Sequence, residues 1–118
     1  MQGESDACTK EVVEQYAGLY DALLNDFQKE FGAYLSNCTF VDGGISETWP
    51  FFVEMNKAKR NYAQTHQNCY YIDTIGEGLT VSKEPDKEPD IAHYDSDSII
   101  KLGWLFAQMV DVHAVKER

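Results

Sequence analysis

The chain has 118 residues, enough for one domain with a modest core and too few for two. With 43% hydrophobic and 13% aromatic residues it is too apolar for intrinsic disorder, and a formal net charge of −10 works against tracking nucleic-acid phosphates or an anionic membrane surface. No apolar run of roughly 18 residues exists to cross a bilayer, and the start "MQGESDACTK" lacks the basic and apolar regions of a signal peptide. A cytoplasmic protein is expected by default.

From Thr9 to Phe31 the apolar residues Val12, Val13, Tyr16, Leu19, Tyr20, Leu23, Leu24, Phe27 and Phe31 recur at spacings of three and four. The spacing predicts a long amphipathic helix, capped by Thr9 and ended by Gly32. "NCTFVDGG" is a short β-prone run closed by a glycine pair, a strand ending at Asp42. A second helix is expected from Pro50, carrying Phe52, Met55, Ala58 and Tyr62 inward, and "CYYIDT" then gives a second strand ending at Asp73. The tandem "KEPDKEPD" that follows is too rich in charge and proline for a regular helix and reads as a solvated loop. The last element, about Ser96 to Val112, is an amphipathic helix with Ile99, Leu102, Phe106, Met109 and Val110 on one face, opened by Asp95 or Ser96.

Helices alternating with strands imply a single α/β domain whose parallel sheet is covered on both faces. "QGESD" at the start is compatible with the end of a further strand. A sheet of two or three strands leaves an apolar edge uncovered. Either a segment on the N-terminal side or self-association of the chain is expected to close it.

Cys8, Cys38 and Cys69 are odd in number and show no CxxC spacing, so they suit reduced structural thiols, Cys38 and Cys69 at strand starts, better than a disulfide framework or zinc. Asp95 and Asp97 alternate as in calcium loops, but no glycine and no glutamate follow at EF-hand spacing. No metal site and no cofactor is assigned. His66 and His113 fall at predicted helix ends and receive no chemistry.

The chemistry-bearing stretch is "DIAH". Asp90 and His93 are three residues apart, a spacing at which a tight turn brings a carboxylate to the imidazole Nδ1, fixing its tautomer and stabilising the imidazolium. The pair follows a strand on a long loop, where open α/β sheets place their sites. DxxH is by itself a weak signal.

Two blocks strengthen it. "MQGESDA" at the start and "DIAHYDSDSIIKLGWLFAQMV" near the end resemble those of the sialate O-acetylesterase-like carbohydrate esterases, within the SGNH (GDSL-type) hydrolase superfamily. Between them, Trp49, Val53 and Glu54 and then "YYIDT" also fit, so the resemblance covers residues 1 to about 110. It implies a three-layer α/β/α, flavodoxin-like hydrolase fold cut short on its N-terminal side. It also implies His93 as general base, Asp90 as its orienting acid with Glu4 as the other candidate acid, and Gln2 and Gly3 shaping the pocket floor. Read alone, that N-terminus would be a frayed end. The implied substrate is an acetylated carbohydrate or other small ester.

In the family the nucleophilic serine lies in a "GQSN"-type block ahead of "QGES". This chain has no "GQSN", "GDSL" or GxSxG, Ser5 sits beside Glu4, and Ser96 and Ser98 read as helix-start residues. Without a nucleophile the histidine cannot run two-step acyl transfer. Three expectations follow: Met1 is internal to a longer esterase, a separate N-terminal piece completes the site, or the chain is a noncatalytic module that self-associates.

Overall fold

The structure, a computed structural model, describes residues 1–35, 38–84, 88 and 92–114. A 3-10 turn at Asp6–Cys8 is followed by α1 (Lys10–Leu35), β1 (Phe40–Gly43), α2 (Phe52–Thr65), β2 (Cys69–Ile72) and α3 (Ser96–Ala114). β1 and β2 pair in parallel, from Phe40 opposite Cys69 to Gly43 opposite Ile72. The alternation of helix and strand thus gives the parallel α/β arrangement it implied.

Strand pleating sorts the two faces. Asp42 and Tyr71, opposite each other in register, face α1 and α2: Asp42 bonds Tyr16 of α1 and Lys59 of α2, and the Arg60 guanidinium lies 5.2 Å from the centre of the Tyr71 ring. Val41 and Ile72 face α3 and pack with Leu102, Leu105, Phe106 and Met109. The second core joins the Ala7 turn, Val13 and Tyr16 of α1, Ile45 of the β1–α2 connection and Met55 of α2, with Tyr20, Trp49, Phe51 and Phe52 around it. Helices therefore cover both faces of the sheet, in three layers.

Several expected boundaries shift. α1 runs through Gly32 to Leu35, because one glycine costs a helix only about 1 kcal/mol and cannot end it where the backbone stays helical. β1 extends to Gly43, and β2 stops at Ile72, one residue short of Asp73. α2 starts at Phe52, with Pro50 in the turn before it. "QGESD" forms a turn and the 3-10 turn, and β1 and β2 are the two strands found among the described residues. On α3, Leu102 is buried, whereas Ile99 and Val110 are half exposed. Cys69 opens β2 and is buried, while Cys38 precedes β1 and is only partly covered. Most of "KEPDKEPD" lies outside the described residues.

No helix among the described residues is long and apolar enough to cross a membrane.

Candidate active site

Three chain segments converge on the carboxyl end of β1. The first is the N-terminal block. Gly3 is buried at φ +107°, a conformation that L side chains rarely adopt, and a Cβ there would lie 3.0 Å from the Met55 sulfur and 3.2 Å from Lys59 Cε. The Ala7 N–H bonds the Gly3 carbonyl at 2.9 Å, and the Phe51 N–H bonds the Ala7 carbonyl at 2.9 Å, fastening the block to the start of α2. The Gln2 carbonyl accepts from Lys59 Nζ. This N-terminus is docked, and Glu4 sits in its turn, partly buried.

The second segment is the β1–α2 connection. Gly44 is hemmed in, with a Cβ there only 2.6 Å from the Tyr71 hydroxyl and 2.8 Å from Thr74 Oγ1. Ile45, fully buried, has its N–H bonded to Asn56 Oδ1 (2.8 Å) and its carbonyl to Asn56 Nδ2 (2.9 Å), so one side chain stands in for a strand partner. Lys59 Nζ reaches Asp42 Oδ1 at 3.1 Å and the Gly43 carbonyl at 2.9 Å, with its side chain entirely inaccessible. Burial lowers its affinity for a proton, and Asp42 offsets part of that.

The third segment carries His93. Ala92 accepts from the Trp49 indole N–H at 3.0 Å. The Tyr94 hydroxyl, buried, lies 3.1 Å from the Gly44 carbonyl and 2.7 Å from Thr74 Oγ1. Burial foremost, and more weakly the charge of Glu4, push the Tyr94 phenol up to about 12, so it stays protonated. Asp95 then fixes the loop to α3: its N–H bonds the Thr80 carbonyl (2.9 Å), while its carboxylate accepts from the N–H of Ser98 (3.0 Å), the N–H of Lys83 (3.1 Å) and the Thr80 hydroxyl. These bonds hold its carboxyl well below the usual carboxylate range. Asp95 is thus the N-cap of α3. His93 is exposed, on a turn whose neighbours on both sides are pinned. Ser98, buried, accepts from the Thr80 N–H, and Ser96 bonds Glu84, so both serve the start of the helix.

With Gly43 bonded to Lys59 and Gly44 to Tyr94, the QGE turn and the His93 turn meet across two consecutive residues at the carboxyl end of β1, where open parallel sheets place their ligand sites. A model of a carbohydrate esterase family, described as sialic acid-specific acetylesterase, matches residues 1–111. The chain belongs to this family. No curated protein and no solved structure matches it.

The esterase family match spans both blocks quoted above. Of the residues they supply, Gln2, Gly3, Glu4 and His93 are described, and Asp90 lies outside the described residues. The two loops that follow the strands enclose a cleft of about 270 Å³, lined by Ser46, Glu47, Ile75, Leu79, Thr80 and Ser82, and Thr80 bonds Asp95, two residues after His93. Sequence reasoning missed Asn56 and Lys59. The signal was present, since Lys59 is four residues after Met55 and three before Tyr62, on the same buried stripe. Among the described residues, no group of three His, Cys, Asp or Glu side chains is arranged to hold a metal ion.

Proposed function

We propose that these residues form the acid–base part of an esterase site that removes O-acetyl groups from sugars, the attacking serine coming from a segment the 118 residues do not contain. His93 takes the serine proton as the hydroxyl attacks the acetyl carbonyl, then returns it to the departing sugar hydroxyl. Water hydrolyses the acetyl-enzyme with the same histidine as base. Asp90 or Glu4 orients the imidazole and stabilises its cationic form. Gln2 and Gly3 shape the floor beside Glu4, and the cleft of the two loops that follow the strands, with the hydroxyls of Ser46, Thr80 and Ser82, the Glu47 carboxylate and the apolar Ile75 and Leu79, suits an acetylated sugar or other small ester. The observation that carries this reading is the anchoring of the His93 turn through Trp49–Ala92 and Tyr94–Gly44 at the sheet's carboxyl end, next to the QGE turn.

The test is acetate release from O-acetylated sugars by the reading frame that joins this chain to its serine-bearing segment. His93→Ala is expected to lower kcat on the order of 10⁴-fold, as loss of a triad member does. Unchanged turnover rejects the assignment.

A second reading, a noncatalytic module that self-associates, is favoured by exposed Leu23, Phe27 and Phe31 on α1 and Ile100 and Trp104 on α3. It predicts a stable oligomer that serine-directed reagents do not label. A monodisperse monomer at high concentration counts against it.

A further inference from the structure

We propose that Lys59 is a positioning residue of this site: by clamping the Gln2 carbonyl to the carboxyl end of β1, its ammonium sets the turn that carries Glu4 against the turn that carries His93. The inference rests on the functional reading above, in which Glu4 is one of the two candidate acids.

An ammonium has three N–H donors, and Lys59 gives them to three oxygens on different parts of the chain: the Asp42 carboxylate, the Gly43 carbonyl and the Gln2 carbonyl. An ion pair for stability alone needs only Asp42, and even that is a poor bargain, since a buried pair often does no better than well-packed apolar side chains. Methionine at this position would extend the Met55–Tyr62 stripe without any charge to desolvate. The two backbone carbonyls are what the ammonium adds, and one of them belongs to the residue two before Glu4.

The turn holding Glu4 is tied at both ends. Downstream, Ala7 bonds back to Gly3 and on to Phe51. Upstream, the hydrogen bond that joins Gln2 to the sheet end comes from Lys59, and Gly3 passes against the lysine's own aliphatic stem. Lys59 ties the Gln2 carbonyl to that of Gly43, and Tyr94, the residue after His93, bonds the carbonyl of Gly44, so the turn that carries Glu4 and the turn that carries His93 are fixed to consecutive residues. Removing the ammonium frees the upstream end while leaving the downstream end fixed, so Glu4 swings away from the His93 turn and the fold persists.

The imidazole Cε1–H resonance of His93, followed by NMR at fixed pH in this chain, tests the idea without any turnover. Glu4→Gln and Lys59→Met are each expected to displace it, and the double variant no further than Glu4→Gln alone, because the lysine acts through the glutamate; independent effects would add. Lys59→Arg, which keeps the donors, should restore most of the wild-type position. Amide resonances of α3 at wild-type positions certify the fold, and if Lys59→Met disturbs them, Asp42→Asn combined with Lys59→Met removes both charges and enters the same cycle. A His93 resonance unmoved by loss of the ammonium, or displacements that add, overturns the proposal. In the acetate-release assay Lys59→Met should lower kcat roughly tenfold with KM changed less than about threefold, and Lys59→Arg should recover most of the loss. Failure of the functional reading shows separately, as full turnover in His93→Ala.

Discussion

Around Gly43–Ile45 the buried polar atoms are nearly all hydrogen bonded, by Lys59, Asn56, Thr74 and Tyr94, whereas along the far half of α1 and the outer side of α3 leucine, phenylalanine, isoleucine and tryptophan face solvent. One region is held by directional bonds, each fixing a particular backbone atom, and the other is bare apolar surface with no partner to orient it. The first kind of construction suits a place where groups must be held to fractions of an ångström. The second suits a surface awaiting cover. The Tyr71 hydroxyl marks the limit of the first region, since it is buried beside Gly44 and finds no hydrogen-bond partner among the described residues.

The largest effect on that contrast comes from breaking the bonded end. Asn56→Ala leaves both the N–H and the carbonyl of fully buried Ile45 without partners. Orphaned buried groups cost about 1–3 kcal/mol each, so a loss of roughly 3 kcal/mol is expected in urea unfolding at neutral pH. A loss under about 1 kcal/mol would mean that water replaces the side chain and that this end is looser than its bonds imply.

Asp95 sharpens the comparison through pH. Asp95→Ala removes the α3 cap together with the bonds to Lys83 and Thr80, and should cost roughly 2 kcal/mol. Its folded-state pKa lies below the ordinary value of 3.8. The folded protein therefore releases this proton more readily than the unfolded chain, and the stabilisation is fully present above that ordinary value. It is lost as pH falls through it towards the depressed folded value. The wild-type urea midpoint should drop further between neutral pH and pH about 3 than that of Asp95→Asn. Equal drops would show that other carboxylates carry the acid sensitivity.

Tyr94→Phe is a milder cut. The ring keeps its place in the α3-side core, while the Gly44 carbonyl and Thr74 hydroxyl lose a partner. Thr74 also donates to Gly44, so neither atom is fully orphaned, and about 1 kcal/mol is expected. The more informative reading is local: faster amide exchange at Gly44 and Tyr94 with α1 unaffected.

How much of this was legible beforehand depends on the kind of interaction. Periodicity and strand-forming runs gave the order of elements, because apolar spacing directly encodes which side of a helix is covered. They overstated that coverage on α1 and α3, where Leu19, Phe27 and Ile99 fit the pattern yet stay half exposed, since a pattern reports a face that wants burial and not whether anything covers it. The candidate site was legible as two separated blocks, "QGES" and "DIAHYD". Their meeting was not, because it runs through long-range polar contacts, Lys59 to Gln2 and Tyr94 to Gly44, that no local pattern announces. Asp95 illustrates both limits: its place before a helix marked it, alongside Ser96, as a candidate cap, and only the folded chain shows the Ser98, Thr80 and Lys83 donors that decide for it.

The smallest effect on stability should come from the bare surface, and it is the one that says most about the contrast. Trp104, on α3, is 66% exposed, beside Gly103, Ala107 and the exposed Ile100 in an open apolar groove. Replacing it with glutamine removes little buried area, so the folding free energy should change by less than about 0.5 kcal/mol. Sedimentation velocity should nonetheless show less association in the variant than in the wild type at equal concentration, because a large exposed aromatic is the kind of side chain that drives contacts between surfaces. A marked loss of stability would mean that the ring already packs against this chain and that the two regions differ less than their side chains indicate. No change in either property would leave the groove apolar but inert, and the burden of covering it would then fall on α1, where Leu23, Phe27 and Phe31 are open to the same substitution.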